Sequence, residues 1–164
     1  MKLITVNTKD IIKKSEQGFT LIELLVVIGI LAILMGIVLI AINPAAQFAQ
    51  ANNTSRTNAV GQILNAIGQY EADNHGQLPA PLVVNMVAPV EIQNGTAADI
   101  CAAIMPAYIA SLPEDPRILN GANITSCTTY DTGFKAQVDA NGRVTISATG
   151  ESVRGVVPTI SVQR

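Results

Sequence analysis

A single acidic residue, Glu23, interrupts an otherwise uncharged and strongly apolar stretch that runs from Phe19 to Ile42. Seventeen of these 24 residues are Phe, Leu, Ile or Val. At about 1.5 Å per residue, a helix of this length spans the ~30 Å hydrocarbon core of a bilayer. Its apolar side chains contribute roughly −0.3 to −0.6 kcal/mol each on insertion, which outweighs a cost of about 3 kcal/mol for one carboxylate. The stretch therefore predicts a membrane helix, and the presence of an acid near its start requires an explanation.

The residues around this acid form a motif. Gly18 to Glu23 read GFTLIE and are preceded by the basic pair Lys13 and Lys14. This arrangement resembles the type III signal sequence of bacterial type IV prepilins and type II secretion pseudopilins. The resemblance implies that a prepilin peptidase/methyltransferase cleaves the chain after Gly18 and N-methylates Phe19, the new first residue.

The same resemblance implies a partner for the acid. In a helical filament of identical or related pilin subunits, the carboxylate of Glu23 would meet the Phe19 ammonium of a neighbouring copy. Membrane lipid would surround the helix before assembly. Each charged group is costly at an apolar boundary when alone and tolerable when paired. The expected function is therefore that of a structural subunit of a type IV pilus or a type II secretion pseudopilus.

Two simpler explanations of the apolar stretch stay open, an ordinary membrane anchor and a cleavable secretory signal. A secretory signal has an apolar core of only ~7–15 residues before an A-x-A-like site, and the sequence AQA at 49–51 could serve as such a site. An ordinary anchor would leave Gly18, Phe19 and Glu23 without a role. The corresponding alternative function is a single-pass, membrane-anchored extracytoplasmic binding module.

Charge is distributed unevenly along the 164 residues. Four of the ten Lys and Arg residues precede Gly18, whereas ten of the twelve Asp and Glu residues follow it. Positive charge before an apolar stretch predicts a cytoplasmic N-terminus and a C-terminus outside. The protein would therefore sit in the cytoplasmic membrane, and the resemblance implies a later location in an extracellular pilus or a periplasmic pseudopilus. An acidic exterior argues against nucleic acid as the main partner.

The sequence contains no recognisable catalytic constellation. His75 is the only histidine and is interpreted as a solvated turn residue, and no G-x-S-x-G, P-loop or GxGxxG motif is present. Four carboxylates could surround a calcium ion, but their spacing does not match an EF-hand loop, and solvated surface acids explain them better. These are Asp99, Glu114, Asp115 and Asp131. We therefore predict no enzyme activity, no cofactor and no metal site.

Both cysteines, Cys101 and Cys127, lie in the part of the chain that is expected to be outside the cytoplasm. In an oxidising compartment they are predicted to form a disulfide, which would close a loop of about 26 residues and stabilise the fold by about 3–4 kcal/mol. A small domain gains from such a cross-link. The alternative is a pair of unrelated buried thiols.

Composition, together with the resemblance, predicts four segments in the chain. They are a cleaved leader at 1–18, the membrane and polymerisation helix at 19–42, an amphipathic helix at 43–74 and a globular domain at 75–164. Proline interrupts the hydrogen bonds of a helix, so Pro44 is expected to kink or end the helix at the membrane exit.

The amphipathic segment has an apolar stripe at helical spacing, which must pack against another element. The stripe consists of Val60, Ile63, Leu64, Ile67 and Tyr70. The opposite, polar face is assigned Arg56, Asn58, Gln62, Asn65 and Gln69. After a proline-containing loop, Thr96 and Asp99 resemble a capping box and predict a short helix at about 97–105.

The C-terminal third of the sequence predicts antiparallel strands. Apolar and polar residues alternate at 134–139 and again at 143–148, and Asn141-Gly142 between them is a strong hairpin signal. A further short strand near 159–163 could add an edge. The predicted fold is α+β and pilin-like, with a long N-terminal helix, half transmembrane and half amphipathic, packed on a small C-terminal antiparallel sheet.

Overall fold

The computed structural model of the chain describes residues 18–118 and 121–164. The chain forms two compact units, of which the first ends at Asn43 and the second begins at Pro44. The leader that the sequence predicts at 1–18 lies outside the described residues, apart from Gly18.

The N-terminal unit contains helix α1, Leu21–Ile42, which confirms the predicted apolar helix. Thr20 is its N-cap, and Asn43 follows its last residue in a left-handed conformation, with φ of 46°. None of its residues is buried within the chain. Among the described residues, α1 is the one helix that is long and apolar enough to cross a membrane. These properties are consistent with membrane anchoring.

Helix α2, Pro44–Asp73, opens the C-terminal unit. Proline is well tolerated as its first residue, because the first N–H groups of a helix have no partner within the helix. Most of the predicted apolar stripe is buried, and Tyr70 is partly buried against the core. The amphipathic helix is therefore confirmed.

A four-stranded antiparallel sheet forms the other layer of this unit. Its strands are β1 Val90–Gln93, β2 Asp131–Val138, β3 Val144–Thr149 and β4 Thr159–Gln163. Their order in the sheet follows the order in the chain, so β1 and β4 are the two edges. The predicted hairpin joins β2 to β3, and Gly142 in its turn has a positive φ of 82°. The α+β, pilin-like fold class is confirmed.

The hydrophobic core lies between α2 and the sheet. Alternate residues of β2 and β3 face it, as the period of two in their sequences predicts. Helix α2 packs over β3 and β4, and apolar residues from the segments before β2 complete the core. Those residues include Ile92, Ile100, Ile104 and Leu112.

The short helix is smaller than predicted. Helix α3 spans only Cys101–Ile104, and Ile100 is its N-cap without a side-chain hydrogen bond. The predicted capping box is wrong because the two side chains serve a preceding turn. The Thr96 hydroxyl accepts from the N–H of Ala98, and the carboxylate of Asp99 accepts from the N–H of Gly95. Strand β1 was also not predicted, because a loop was expected before the short helix.

Cys101 and Cys127 form a disulfide, with their Cα atoms 5.6 Å apart. The predicted pairing is confirmed. The bond joins α3 to the loop that precedes β2, and Cys101 is fully buried in the core. It therefore fixes the position of α3 against the sheet.

Removing this bond should destabilise the C-terminal unit. The double substitution Cys101→Ala/Cys127→Ala is expected to lower the free energy of unfolding by about 3 kcal/mol, because the unfolded chain regains the freedom of the opened loop. Urea unfolding of the full chain in detergent, followed by near-ultraviolet circular dichroism, measures it. All three tyrosines lie in the C-terminal unit and report on it alone. Equal stabilities of the two proteins would contradict the prediction.

Candidate functional site

The acid of the apolar stretch lies in the first turn of α1, where Thr20 and Glu23 form a capping box. The N–H and the hydroxyl of Thr20 both donate to Oε2 of Glu23, each at 2.8 Å. In return, the N–H of Glu23 donates to the hydroxyl oxygen of Thr20 at 3.3 Å. The sequence pattern T-x-x-E is the signal for this arrangement, although no capping role was predicted for Thr20 or Glu23.

The capping box uses only part of the hydrogen-bonding capacity of the Glu23 carboxylate. Both hydrogen bonds from Thr20 go to Oε2, and Oε1 accepts none from the residues that the structure describes. An ionised carboxylate has about four acceptor positions. Glu23 can therefore stabilise the start of its own helix and still accept hydrogen bonds from a second, positively charged group.

The residues at the predicted cleavage point precede the helix. Gly18 and Phe19 have no regular secondary structure, and the Phe19 side chain is 83% exposed. The peptide bond between them thus lies outside the hydrogen-bonded turns of α1. An enzyme can bind this stretch in an extended form without unwinding the helix.

A second cluster of charged groups lies inside the C-terminal unit, around Arg56. Its guanidinium donates two hydrogen bonds to Asp115, from Nε to Oδ2 at 2.6 Å and from Nη2 to Oδ1 at 2.8 Å. Nη2 also donates to Oε1 of Glu151 at 3.0 Å, and Nη1 donates to Oδ1 of Asn53 at 3.0 Å. Only 1% of Arg56 is exposed. This arginine cluster joins α2 to two distant loops.

Amide groups complete the arginine cluster. Asn53 donates to the carbonyl of Glu151 at 2.9 Å and accepts from its N–H at 2.7 Å. Asn52 donates to the Glu151 carboxylate at 2.9 Å. Asn52 and Asn53 of α2 thus hold the start of the connection between β3 and β4.

The pairing of these groups shifts their pKa values. Burial alone would raise the pKa of Asp115, but the hydrogen bonds from Arg56 and from the N–H of Arg117 outweigh it, so the pKa is lowered. Burial would likewise raise the pKa of Glu151, but the hydrogen bonds from Asn52 and Arg56 outweigh it, so this pKa is also lowered. The hydrogen bond to Asp115 raises the pKa of Arg56. All three groups are therefore held in their charged forms.

The assignment of Arg56 to the polar face of α2 was wrong. Arg56 precedes Val60 by four residues and Ile63 by seven, which is the spacing of one helical face. That spacing was the sequence signal that Arg56 lies on the buried face of α2. Its partners Asp115 and Glu151 are 59 and 95 residues away in sequence, so the pairing itself could not be inferred locally.

The interpretation of the acids as solvated surface groups was also wrong for two of them. Asp115 belongs to the arginine cluster, and Glu114 is only 7% exposed. Burial raises the pKa of Glu114, and the nearby charges of Asp131 and Asp115 add to the effect. Within residues 18–118 and 121–164, no three His, Cys, Asp or Glu side chains lie close enough together to hold a metal ion.

Asp99 takes part in a separate contact beside the disulfide. The hydroxyl of Tyr130 donates to Oδ1 of Asp99 at 2.7 Å and accepts from the N–H of Cys101 at 3.3 Å. Burial and the neighbouring Asp99 raise the pKa of Tyr130. The phenol therefore stays protonated and holds the start of α3. His75 is exposed and lies in the turn after α2, with a φ of 55°.

Comparison with known proteins identifies the N-terminal motif. The family model of the prokaryotic N-terminal methylation motif matches residues 13–39. No curated protein and no solved structure matches the chain. The matched range contains Gly18, Phe19 and Glu23, so the chain carries the prepilin signal of type IV pilins and pseudopilins.

The arginine cluster should make the fold sensitive to acid. The pKa values of Asp115 and Glu151 are lowered by folding, so their contribution is present above the ordinary carboxyl pKa values and is lost as the pH falls below about 4. Arg56→Met should remove this loss and lower the free energy of unfolding at pH 7 by about 3–5 kcal/mol, because the buried carboxylate of Asp115 and the partly buried carboxylate of Glu151 lose their partner.

Urea unfolding between about pH 7 and pH 2.5 measures both effects. Exposed Arg154 offers a matched control, and Arg154→Met should leave the pH profile unchanged. Because the pKa of Glu114 is raised, its contribution to stability has the opposite pH dependence. This contribution is expected in every variant, so it cancels when their stabilities are compared. An Arg56→Met protein with wild-type stability and pH profile would contradict the prediction.

Proposed function

We propose that the chain is the precursor of a structural, non-catalytic subunit of a type IV pilus or a type II secretion pseudopilus. The observation that carries this proposal is the methylation motif at residues 13–39, in which the cleavage point, the methylated residue and the lone acid all occur. The exposed apolar surface of α1 and the small α+β domain agree with it.

The first step is processing by a prepilin peptidase/methyltransferase. Water cleaves the peptide bond between Gly18 and Phe19, which releases the leader with a new carboxylate and leaves an amino group on Phe19. The enzyme then transfers a methyl group from a methyl-donor cosubstrate to this nitrogen, which releases one proton, and the resulting secondary amine remains basic. The exposed and non-helical backbone at the cleavage point favours this step.

The second step is assembly through α1. The Phe19 ammonium of one copy donates to Oε1 of Glu23 in a neighbouring copy, and Oε2 keeps its hydrogen bonds to Thr20. Removal of both charges from water is tolerable only if they meet. The apolar side chains of α1 are exposed in the single chain, and neighbouring helices replace lipid around them. The acid thereby fixes the axial register of the subunits.

Processing can be tested on the protein isolated from membranes or filaments. Mass spectrometry should show a chain that begins at Phe19 with one methyl group on its nitrogen. Gly18→Val should block cleavage, because a branched side chain occupies the cleavage position, whereas Ile12→Val in the leader should be processed normally. A mature protein that still begins at Met1 would contradict the proposal and leave a membrane-anchored binding module.

Assembly can be separated from helix capping by three substitutions. Glu23→Gln keeps an acceptor for Thr20 but loses the charge, so it should insert and be cleaved normally yet enter filaments at least ~100-fold less often. Glu23→Ala should behave in the same way. Thr20→Val removes the capping hydroxyl and keeps the charge, and should assemble. Quantification of each variant in sheared filaments measures this, and normal incorporation of Glu23→Gln would contradict the pairing role.

A further inference from the structure

The two edges of the sheet differ in how they are protected. Strand β1 has four residues, contains a charged residue and carries an irregularity between Glu91 and Gln93. The carbonyl of Glu91 accepts a hydrogen bond from the Thr96 hydroxyl at 2.7 Å. Short length, charge and bulges are the usual means by which proteins prevent strand addition at an edge. The β1 edge is therefore protected against the addition of another strand.

Strand β4 lacks the charge and the irregularity that protect β1. Residues 159–163 contain no charge and no proline, and they pair with β3 in an uninterrupted register. Val144 and Arg164 exchange both of their backbone hydrogen bonds, at 3.0 Å each. Because bonding alternates along an antiparallel pair, the N–H and C=O groups of Thr159, Ser161 and Gln163 point away from β3. All three residues are exposed, and their backbone groups have no partner among the described residues.

A groove runs beside this open edge. It has a volume of about 340 Å³ and lies between α2 and the connection that leads into β4. We call it the edge groove; Gln50, Asn53, Thr54, Thr57, Val153, Val156, Pro158 and Ile160 line it. None of these residues is charged, and Val156 is 68% exposed. Its aliphatic members form an apolar wall that faces solvent.

Three of the four polar side chains that line the edge groove, those of Asn53, Thr54 and Thr57, already have hydrogen-bond partners. The Thr54 hydroxyl donates to the carbonyl of Gln50 and the Thr57 hydroxyl donates to that of Asn53, each at 2.9 Å. Asn53 is held by the arginine cluster. An aliphatic side chain can therefore enter the groove without leaving these donors unpaired.

We propose that β4 and the edge groove form a docking site for an extended, uncharged segment of a partner protein, which adds to the sheet as a fifth strand. The segment pairs antiparallel with β4 through the backbone of Thr159, Ser161 and Gln163 and places a valine- or isoleucine-like side chain in the groove. Main-chain bonds supply affinity and the groove supplies selectivity, as in other strand-addition complexes.

A single segment fits this site better than a second copy of the chain. Antiparallel pairing of two β4 strands relates the copies by a two-fold axis perpendicular to the sheet, so both α2 helices would lie on the same face. On that face the second β4 would present Ile160 and Val162, and these side chains already pack against the core of their own copy. They are therefore not free to enter the edge groove, whereas the side chains of a separate segment are.

The test uses the full chain in detergent and a fluorescent peptide of alternating Thr and Val, seven residues long and blocked at both ends. In an antiparallel complex the threonine N–H groups face β4 and the valine side chains face the groove. N-methylation of the threonine nitrogens should weaken binding by about tenfold or more. N-methylation of the valine nitrogens should not. Any other ranking of the three peptides, including no binding, would overturn the proposal.

Two pairs of protein variants complete the test. Ser161→Pro removes an outward N–H without breaking a bond to β3, and it should weaken peptide binding by about tenfold; Ser161→Thr should bind normally. Val156→Asp places a charge in the edge groove and should also weaken peptide binding, whereas Val87→Asp, at an exposed valine outside the groove, should not. A protein dimer that Ser161→Pro dissociates would show that a second copy is the occupant and would overturn the proposal.

Discussion

An ionised side chain that leaves water must be paired, and this constraint acts at two places in the chain. In the C-terminal unit, Arg56 is fully surrounded by partners from the same chain. In the N-terminal unit, Glu23 has one oxygen engaged by Thr20 and the other without a described donor. The charge of Arg56 therefore stabilises the fold, whereas Glu23 can still accept a hydrogen bond from another molecule.

The arginine cluster determines more than local stability. Through Asp115 it holds the loop at 113–116, and through Glu151 it holds the start of the connection between β3 and β4. That connection carries Val153 and Val156, which form the apolar wall of the edge groove. A charged group buried in α2 thus fixes the surface beside the open strand edge, although it touches no ligand itself.

Elements with a sustained period could be predicted from the sequence. Helix α1 follows from a continuous apolar run, α2 from its stripe, and β2 and β3 from their alternation around Asn141-Gly142. The disulfide follows from two cysteines in a part of the chain that is expected to lie in an oxidising compartment. These features depend on residues that are close in sequence or on composition, which a single sequence contains.

Features that depend on distant residues could not be predicted in this way. Strand β1 has four residues, too few for a period, and it forms because β2 pairs with it. The length of α3 depends on Thr96 and Asp99, which bond to a turn and to Tyr130 instead of capping the helix. The open edge of β4 becomes visible only when the strand order is known.

In the proposed filament, Glu23 belongs to the contact between subunits. A filament structure at a resolution that shows side chains tests it most directly, through the distance from the Phe19 nitrogen of one copy to the nearest Glu23 carboxylate oxygen of another. The account predicts a charge-assisted hydrogen bond of about 2.8 Å. A distance beyond about 6 Å for every pair of neighbours, with the carboxylate bound only to Thr20, would contradict it.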